Sequence, residues 1–130
     1  MILIVKTDSM QALLELADAQ GVSLATDSWE AGRTLSRDLL ARMQQLLAAH
    51  DAAWSDISGI VVFRGPGSFT SLRIGITTVN AIAYAQHIPV VGAIGDAWRQ
   101  DGIDRLASGE DDRIVLPEYG GEPHVTPPRK

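Results

Sequence analysis

The period of the apolar positions changes several times along the chain. Met1 to Val5 is a continuous apolar run rich in Ile and Val, which predicts a strand buried on both faces. The polar stretch "KTDSMQ" reads as a turn. "ALLELADAQG" and "VSLATDS" predict two further strands with Gly21 at the turn between them, although Leu13, Leu14 and Leu16 also fit a helix. Between residues 32 and 49 the period becomes helical: Leu35, Leu39, Leu40, Met43, Leu46 and Leu47 form one stripe, with Arg33, Arg37, Asp38 and Arg42 mostly off it. After the polar "DAAWSDISG", Ile60 to Phe63 predicts a buried strand. A second helix is expected from Thr70 or Ser71 to about Gln86, with Thr70 as its N-cap. "IPVVGAIG" predicts another strand. A short helix over 96–107, capped by Asp96, should follow. The tail from Leu116 holds four of the six prolines and is expected to be extended.

Three strands, helix, strand, helix, strand is an α/β order. The first three strands suit an antiparallel meander, and the later ones need crossover helices and should run parallel. A chain of 130 residues supports one domain. The 45% apolar content suits a folded core. The formal charge of −5 makes the chain a poor stand-alone binder of nucleic acid, which needs Lys and Arg against phosphates. There is no cysteine, which excludes disulfides, thiolate metal sites and cysteine nucleophiles. The apolar start is too short for a signal peptide core, and no apolar run reaches the roughly 20 residues of a membrane span. A cytoplasmic protein without membrane contact is expected.

The chemistry-bearing stretch is "FRGPGSFTSLRIGITT", Phe63 to Thr78. A glycine turn between a strand and a helix N-terminus suits an anion, with Gly65, Gly67, Ser68 and Thr70 as candidate phosphate-binding residues and Arg64 and Arg73 as charges. The same glycines also suit a tight turn with no ligand at all. A Walker motif is excluded because no Lys follows, and the third glycine of a dinucleotide fingerprint is replaced by Thr70. Between Ser71 and His87 the helix has Arg73 as its one full charge. Leu72, Ile76, Val79 and Ala83 line one side, with Ile74, Ala81 and Ile82 elsewhere around the axis. Such a helix should be buried on more than one face, by the first helix or by a partner.

"GPGSFTSLRIGI" closely resembles the signature of the bacterial TsaB (YeaZ) family, usually GPGSFTGLRIG. The resemblance is strong over about residues 56–94 and weaker over 1–50. The tail "PEYGGEPHVTPPRK" is similar to the family's closing segment. The resemblance implies an actin-like ATPase, ribonuclease H-like α/β fold with a mixed sheet. It also implies a non-catalytic subunit in the synthesis of N6-threonylcarbamoyladenosine at position 37 of tRNA. The partner would be TsaD, the threonylcarbamoyltransferase, bound as a heterodimer through the two principal helices. That places Arg33, Ser36 and Leu40 of the first helix at the interface. It also places there the turn Gly65, Pro66, Gly67 and Ser68, and Phe69, Thr70, Leu72, Arg73, Ile76, Val79 and Asn80 of the second. A TsaE-like ATPase would join, tRNA would be contacted indirectly, and a homodimer would form where TsaD is missing. No cofactor is required by this chain; ATP, ADP and Mg²⁺ are expected at a complex interface at most.

Several positions depart from the family pattern. The first strand of the family continues into an Asp-Thr pair; here "VKTDS" puts Lys6 at the place of the acid, and a lysine cannot ligate Mg²⁺. Leu35-Ser36 stands where the family has His-Ser or His-Thr. Ser71 replaces a glycine. The chain as a whole, 1–130, reads as a one-lobe form with an extended tail over 116–130. The alternative reading is a small nucleotide-binding protein, or a homodimeric ATPase or peptidase-like enzyme of the same fold. His50, His87 and His124 show no metal spacing, so no metal site is expected. Ser68 lacks the G-x-S-x-G arrangement of a hydrolase nucleophile. Trp29, Trp54 and Trp98 suit packing or partner anchoring. Glu110 to Asp112 reads as a solvated loop.

Overall fold

The computed structural model describes residues 1–118. Five strands form one sheet: β1 (Ile2–Lys6), β2 (Gln11–Ala17), β3 (Ser23–Glu30), β4 (Gly59–Gly65) and β5 (Val90–Ile94), in the order β3-β2-β1-β4-β5. β1 is central, as its unbroken apolar run requires. It pairs antiparallel with β2, Leu3 opposite Leu16 and Val5 opposite Leu14, and parallel with β4, Leu3 opposite Ile60 and Val5 opposite Val62. The hairpin of β2 and β3 is antiparallel and β5 joins β4 in parallel, so the mixed sheet is the one the element order predicts.

Helices α1 (Leu35–Ala49) and α2 (Phe69–Gln86) lie on one side of the sheet, and α3 (Trp98–Ala107) lies on the other. Strand parity shows this. Thr7 of the β1 end meets Gly75 and bonds the Ser71 carbonyl on α2, whereas Val61 and Phe63 of β4 meet Gly102 and Trp98 of α3. The α1 stripe buries Leu35, Leu39, Met43, Leu46 and Leu47. Leu40 instead remains 44% exposed.

Local starts differ from the expectation. α2 begins at Phe69 with Ser68 in the cap position and no side-chain cap bond, so Thr70 is not the N-cap. The reason is that the turn is already fixed from outside: the Ser68 N–H donates to the Asp8 carbonyl at 2.8 Å. α3 starts at Trp98 with Ala97 rather than Asp96 in the cap position. Residues Gly32–Thr34 and Trp54–Asp56 form single 3₁₀ turns ahead of α1 and β4.

Glu110 to Asp112 is an exposed loop, as the sequence suggests, and it also supplies partners to β5. β5 is an edge strand, and its outward backbone groups need partners. The Val90 N–H donates to the Asp111 carboxylate at 3.1 Å and the Gly92 N–H to that of Asp112 at 2.9 Å. The Asp112 N–H donates to the Val90 carbonyl at 2.8 Å. Arg105 of α3 neutralises the group by pairing with Glu110 and Asp112. Beyond this, Val115 is clasped by the Asn80 amide, which donates to its carbonyl at 3.0 Å and accepts its N–H at 2.9 Å. Leu116 and Glu118 then bond Arg64. The remainder of the predicted tail, with His124, lies outside the described residues. Asn80→Ala removes both clasps and is expected to cost about 1 kcal/mol. Hydrogen exchange should show the Val115 amide opening well before α2; an unchanged Val115 rate would mean that Gly92 and Arg64 hold the segment without it.

Candidate functional site

The glycine turn lies at the C-terminal end of β4 and packs tightly on both sides. Gly65 has φ +132, and a Cβ there would collide with the Glu118 carbonyl. At Gly67 a Cβ would lie 2.6 Å from the Asp8 Cβ and 2.8 Å from its carbonyl oxygen. The glycines therefore admit protein backbone, and what approaches them is carbonyl oxygen and an aspartate rather than open space. Neither arginine turns inward: Arg64 donates to the Leu116 carbonyl at 3.3 Å, and Arg73 lies 5.3 Å over the Phe69 ring. Ser68 and Thr70 are exposed at the rim. The surroundings weigh against an anion at Gly65 and Gly67 and favour the turn's role in setting shape.

Beside the turn, Lys6 at the end of β1 pairs with Asp8 at 2.8 Å and sits 4.6 Å over the Phe63 ring. It borders a cavity of about 390 Å³ reached by Asp8, Phe63, Asp96 and Trp98. A Mg²⁺-nucleotide needs oxygen donors here. A lysine ammonium already neutralising Asp8 is the opposite donor set, and these residues do not fit a metal.

The two long helices meet along a groove of about 290 Å³ lined by Ser36 of α1 and Thr70, Arg73, Ile74, Thr77 and Thr78 of α2. Leu40 lies one turn after Ser36 on the same side of α1, Arg33 lies in the 3₁₀ turn ahead of α1, and both are exposed. Pro66, Phe69, Thr70 and Arg73 are exposed as well. Leu72, Ile76 and Val79, placed at the interface by the sequence, are at most 3% exposed and belong to the core beneath α2. Gly65 is buried. Asn80 is committed to Val115. The correction has one cause: the face that looked too apolar for solvent is covered by this chain's own sheet. The outward face is instead Thr70, Arg73, Ile74, Thr77, Ala81 and Tyr84, with Tyr84 85% exposed. The signal for it was present, because stepping 100° per residue away from Leu72, Ile76 and Val79 reaches these positions. Thr78 is half-turned inward and donates to the Ile74 carbonyl.

Among the described residues no helix is long and apolar enough to cross a membrane, and no group of three His, Asp or Glu could hold a metal ion.

The strand order, the helix pair on one face and α3 on the other define an α/β protein of the actin-like ATPase, ribonuclease H-like class. The family described as TsaD, tRNA N6-adenosine threonylcarbamoyltransferase, matches residues 29–93, half of the chain. The tRNA threonylcarbamoyladenosine biosynthesis protein TsaB of Escherichia coli is 31% identical over 88 residues, covering 63% of this chain and 38% of that protein. A tRNA N6-adenosine threonylcarbamoyltransferase of Syntrophus aciditrophicus is 47% identical over 49 residues, covering 36% of this chain and 14% of that one. YeaZ from Pseudomonas aeruginosa superposes with a TM-score of 0.65 at 28% identity, over 78% of this chain and 49% of that one. The chain belongs to this threonylcarbamoyladenosine family, with its likeness on the TsaB/YeaZ side, and spans less than half the length of these relatives.

Proposed function

We propose that the chain is a non-catalytic partner subunit in the synthesis of N6-threonylcarbamoyladenosine on tRNA, docking a TsaD-like threonylcarbamoyltransferase. The observation that carries this reading is the outward α1–α2 face. Leu40 and Tyr84 leave exposed apolar surface beside a hydroxyl-lined groove in which Ile74 is half-buried, on two helices that share a core. Helix pairs of this kind bury such surface by ridge-into-groove packing against another pair. The glycine turn fixes the angle at which α2 leaves the sheet, and so the shape presented. The Lys6–Asp8 pair supports the non-catalytic role, because it occupies the end of β1 with a cation. On this reading ATP, ADP and Mg²⁺ belong to the assembled complex, a TsaE-like ATPase joins it in the cytoplasm, and tRNA is reached through the partner.

The test is light scattering on the chain mixed with the TsaD-like protein of the same genome. A stoichiometric complex is expected. Leu40→Asp with Ala81→Asp should weaken it at least about 100-fold, the effect of losing an interface centre. Both positions are exposed, so circular dichroism should be unchanged. Val79 is unsuitable for this purpose, since a charge there tests the core. A complex that survives both substitutions would move the contact off this face.

A further inference from the structure

Segment 111–116 makes a second groove on the flank of α2 away from α1. It starts at the β5 edge, where the Asp111 and Asp112 carboxylates accept the Val90 and Gly92 N–H groups. It then passes Asn80 at Val115 and Arg64 at Leu116. The groove between this strap and the last turns of α2 has a volume of about 640 Å³. Buried Ala83 and Ile88 form its floor. Tyr84 and Ile114 stand at its two sides, and Ile114 is 68% exposed. Arg113 also lines it and makes no ion pair among the described residues. The acids of the strap are engaged elsewhere. Glu110 and Asp112 pair with Arg105, and Asp111 accepts the N–H groups of Val90 and of Arg113 itself. Glu118, the next acid along the chain, sits at the glycine turn, where its N–H donates to the Arg64 carbonyl. No Asp or Glu occurs between Ile57 and Gly95, so neither α2 nor β5 supplies one.

We propose that this second groove belongs to the docking surface and receives from the TsaD-like partner an apolar side chain flanked by a carboxylate. The proposal rests on the docking role of the α1–α2 face given above and adds the chemistry of the partner segment. Continuity is the first argument. Ala81 and Tyr84 lie on the outward face of α2 and also line the groove. A helix packed on α2 stands about 8–10 Å from its axis and is itself about 10–12 Å wide. A partner seated on the ridge of α2 therefore overhangs both flanks, and covering Tyr84 closes the groove beside it. Chemical fit is the second argument. Tyr84 and Ile114 are apolar walls over an apolar floor, so one partner side chain buries surface on three sides. Arg113 loses water as the groove closes and has no acid of its own chain to meet, so the partner must bring the carboxylate.

Two experiments test this on the full chain. In the first, titration calorimetry measures affinity for the TsaD-like protein. Ile114→Asp and Arg113→Glu should each weaken binding at least about tenfold. Arg113→Lys should keep most of the affinity. The Arg113→Glu deficit should shrink from about 0.01 M to about 1 M salt, as the Debye length falls from ~30 Å to ~3 Å. Hydrogen exchange at Val115 should match wild type in each variant, because Arg113 and Ile114 bond the strap through their backbone N–H groups. In the second, the absence of cysteine lets Ile114→Cys carry a single environment-sensitive fluorophore. Its emission is expected to shift to the blue when the TsaD-like protein is added. The same dye at Gln100→Cys, exposed on α3 across the sheet, should not change. Binding that Leu40→Asp weakens but Arg113→Glu and Ile114→Asp leave intact overturns the groove and keeps the docking face. So does a dye at Ile114→Cys that sees no change in a complex confirmed by light scattering. Losses accompanied by faster Val115 exchange also overturn the proposal, since they come from a displaced strap. A wild-type chain that binds no TsaD-like protein removes the docking reading and this proposal together.

Discussion

Replacing Arg99 with methionine is expected to cost about 3 kcal/mol of folding stability at neutral pH, the lower end of the range for breaking a buried ion pair. Glu15 is 6% exposed on β2, beneath α3. Arg99 holds it with two bonds, Nε to Oε1 at 2.9 Å and Nη2 to Oε2 at 2.7 Å, and reaches the Gly21 carbonyl at 2.8 Å. Methionine keeps much of the bulk but leaves a carboxylate without its cation. The lower end applies because the Arg99 side chain is itself 32% exposed. The bonds from Arg99 hold the Glu15 carboxyl below the usual carboxylate range, against burial, which pushes it up. A carboxyl lowered in the folded state contributes stability above its unfolded pKa of about 4.3, and that stability is lost as pH falls through the folded pKa. In Arg99→Met burial outweighs the one remaining lowering contact, a hydrogen bond with Ser23, so the Glu15 pKa rises and the sign reverses. The variant's deficit should shrink on acidification from pH 7 toward 4, as the carboxyl takes up a proton in the folded chain. Urea midpoints across that range measure it, and Glu15→Gln/Arg99→Met should recover much of the loss. An equal deficit at both ends of the range would assign the cost to the bond with Gly21 and to packing.

That pair shows what the sequence conceals. Glu15 and Arg99 are 84 residues apart, and neither belongs to a motif. Local periodicity carried the fold: the run from Met1 to Val5 marks the central strand, and the stripe from Leu35 to Leu47 marks α1, because each depends on the side chain's own neighbours. The same information stops at the next level. Leu72, Ile76 and Val79 are visibly one face of α2, but whether a sheet or a partner covers it depends on where β1 and β4 lie. The role of Asp111 and Asp112 follows from β5 being an edge strand, which is a property of the strand order. Asn80 was legible as a polar residue on an apolar helix, yet its partner Val115 comes from a segment that periodicity leaves blank.

The glycine motif divides along the same line. Its glycines signalled close approach, and the sequence left an anion and a tight turn as equal explanations. The structure supplies what approaches: Asp8 at Gly67, Glu118 at Gly65 and Thr7 at Gly75. These three contacts come from the end of β1 and from the segment after α3. The strand-turn-helix unit is thus clamped from both sides, and this makes the α2 direction a fixed feature of the surface.

The Thr7–Gly75 contact gives the second large effect. A Cβ at Gly75 would run into the Thr7 hydroxyl and lie 3.1 Å from both its Cβ and its methyl group. That hydroxyl is fully buried and donates to the Ser71 carbonyl at 2.9 Å, so it cannot swing out to water. Gly75→Ala is expected to destabilise by about 3 kcal/mol, the upper part of the range for overpacking, despite alanine's better helix propensity. The strain is shared with one residue, which makes the prediction separable. Thr7→Ala removes the hydroxyl and methyl at a cost of about 1 kcal/mol for the lost bond. In the double variant the alanine at 75 meets only the Cβ, and the two costs should fall short of their sum by at least about 1 kcal/mol. Thermal unfolding of the four proteins gives that coupling directly. Additive costs would mean that α2 relieves the clash by lifting off the sheet. In that case Gly75→Ala should weaken docking of the TsaD-like protein even where the chain remains folded, since Arg73, Ile74 and Thr77 move with the helix. Coupled costs would place the accommodation at Thr7, leaving the outward face where it is and the complex intact.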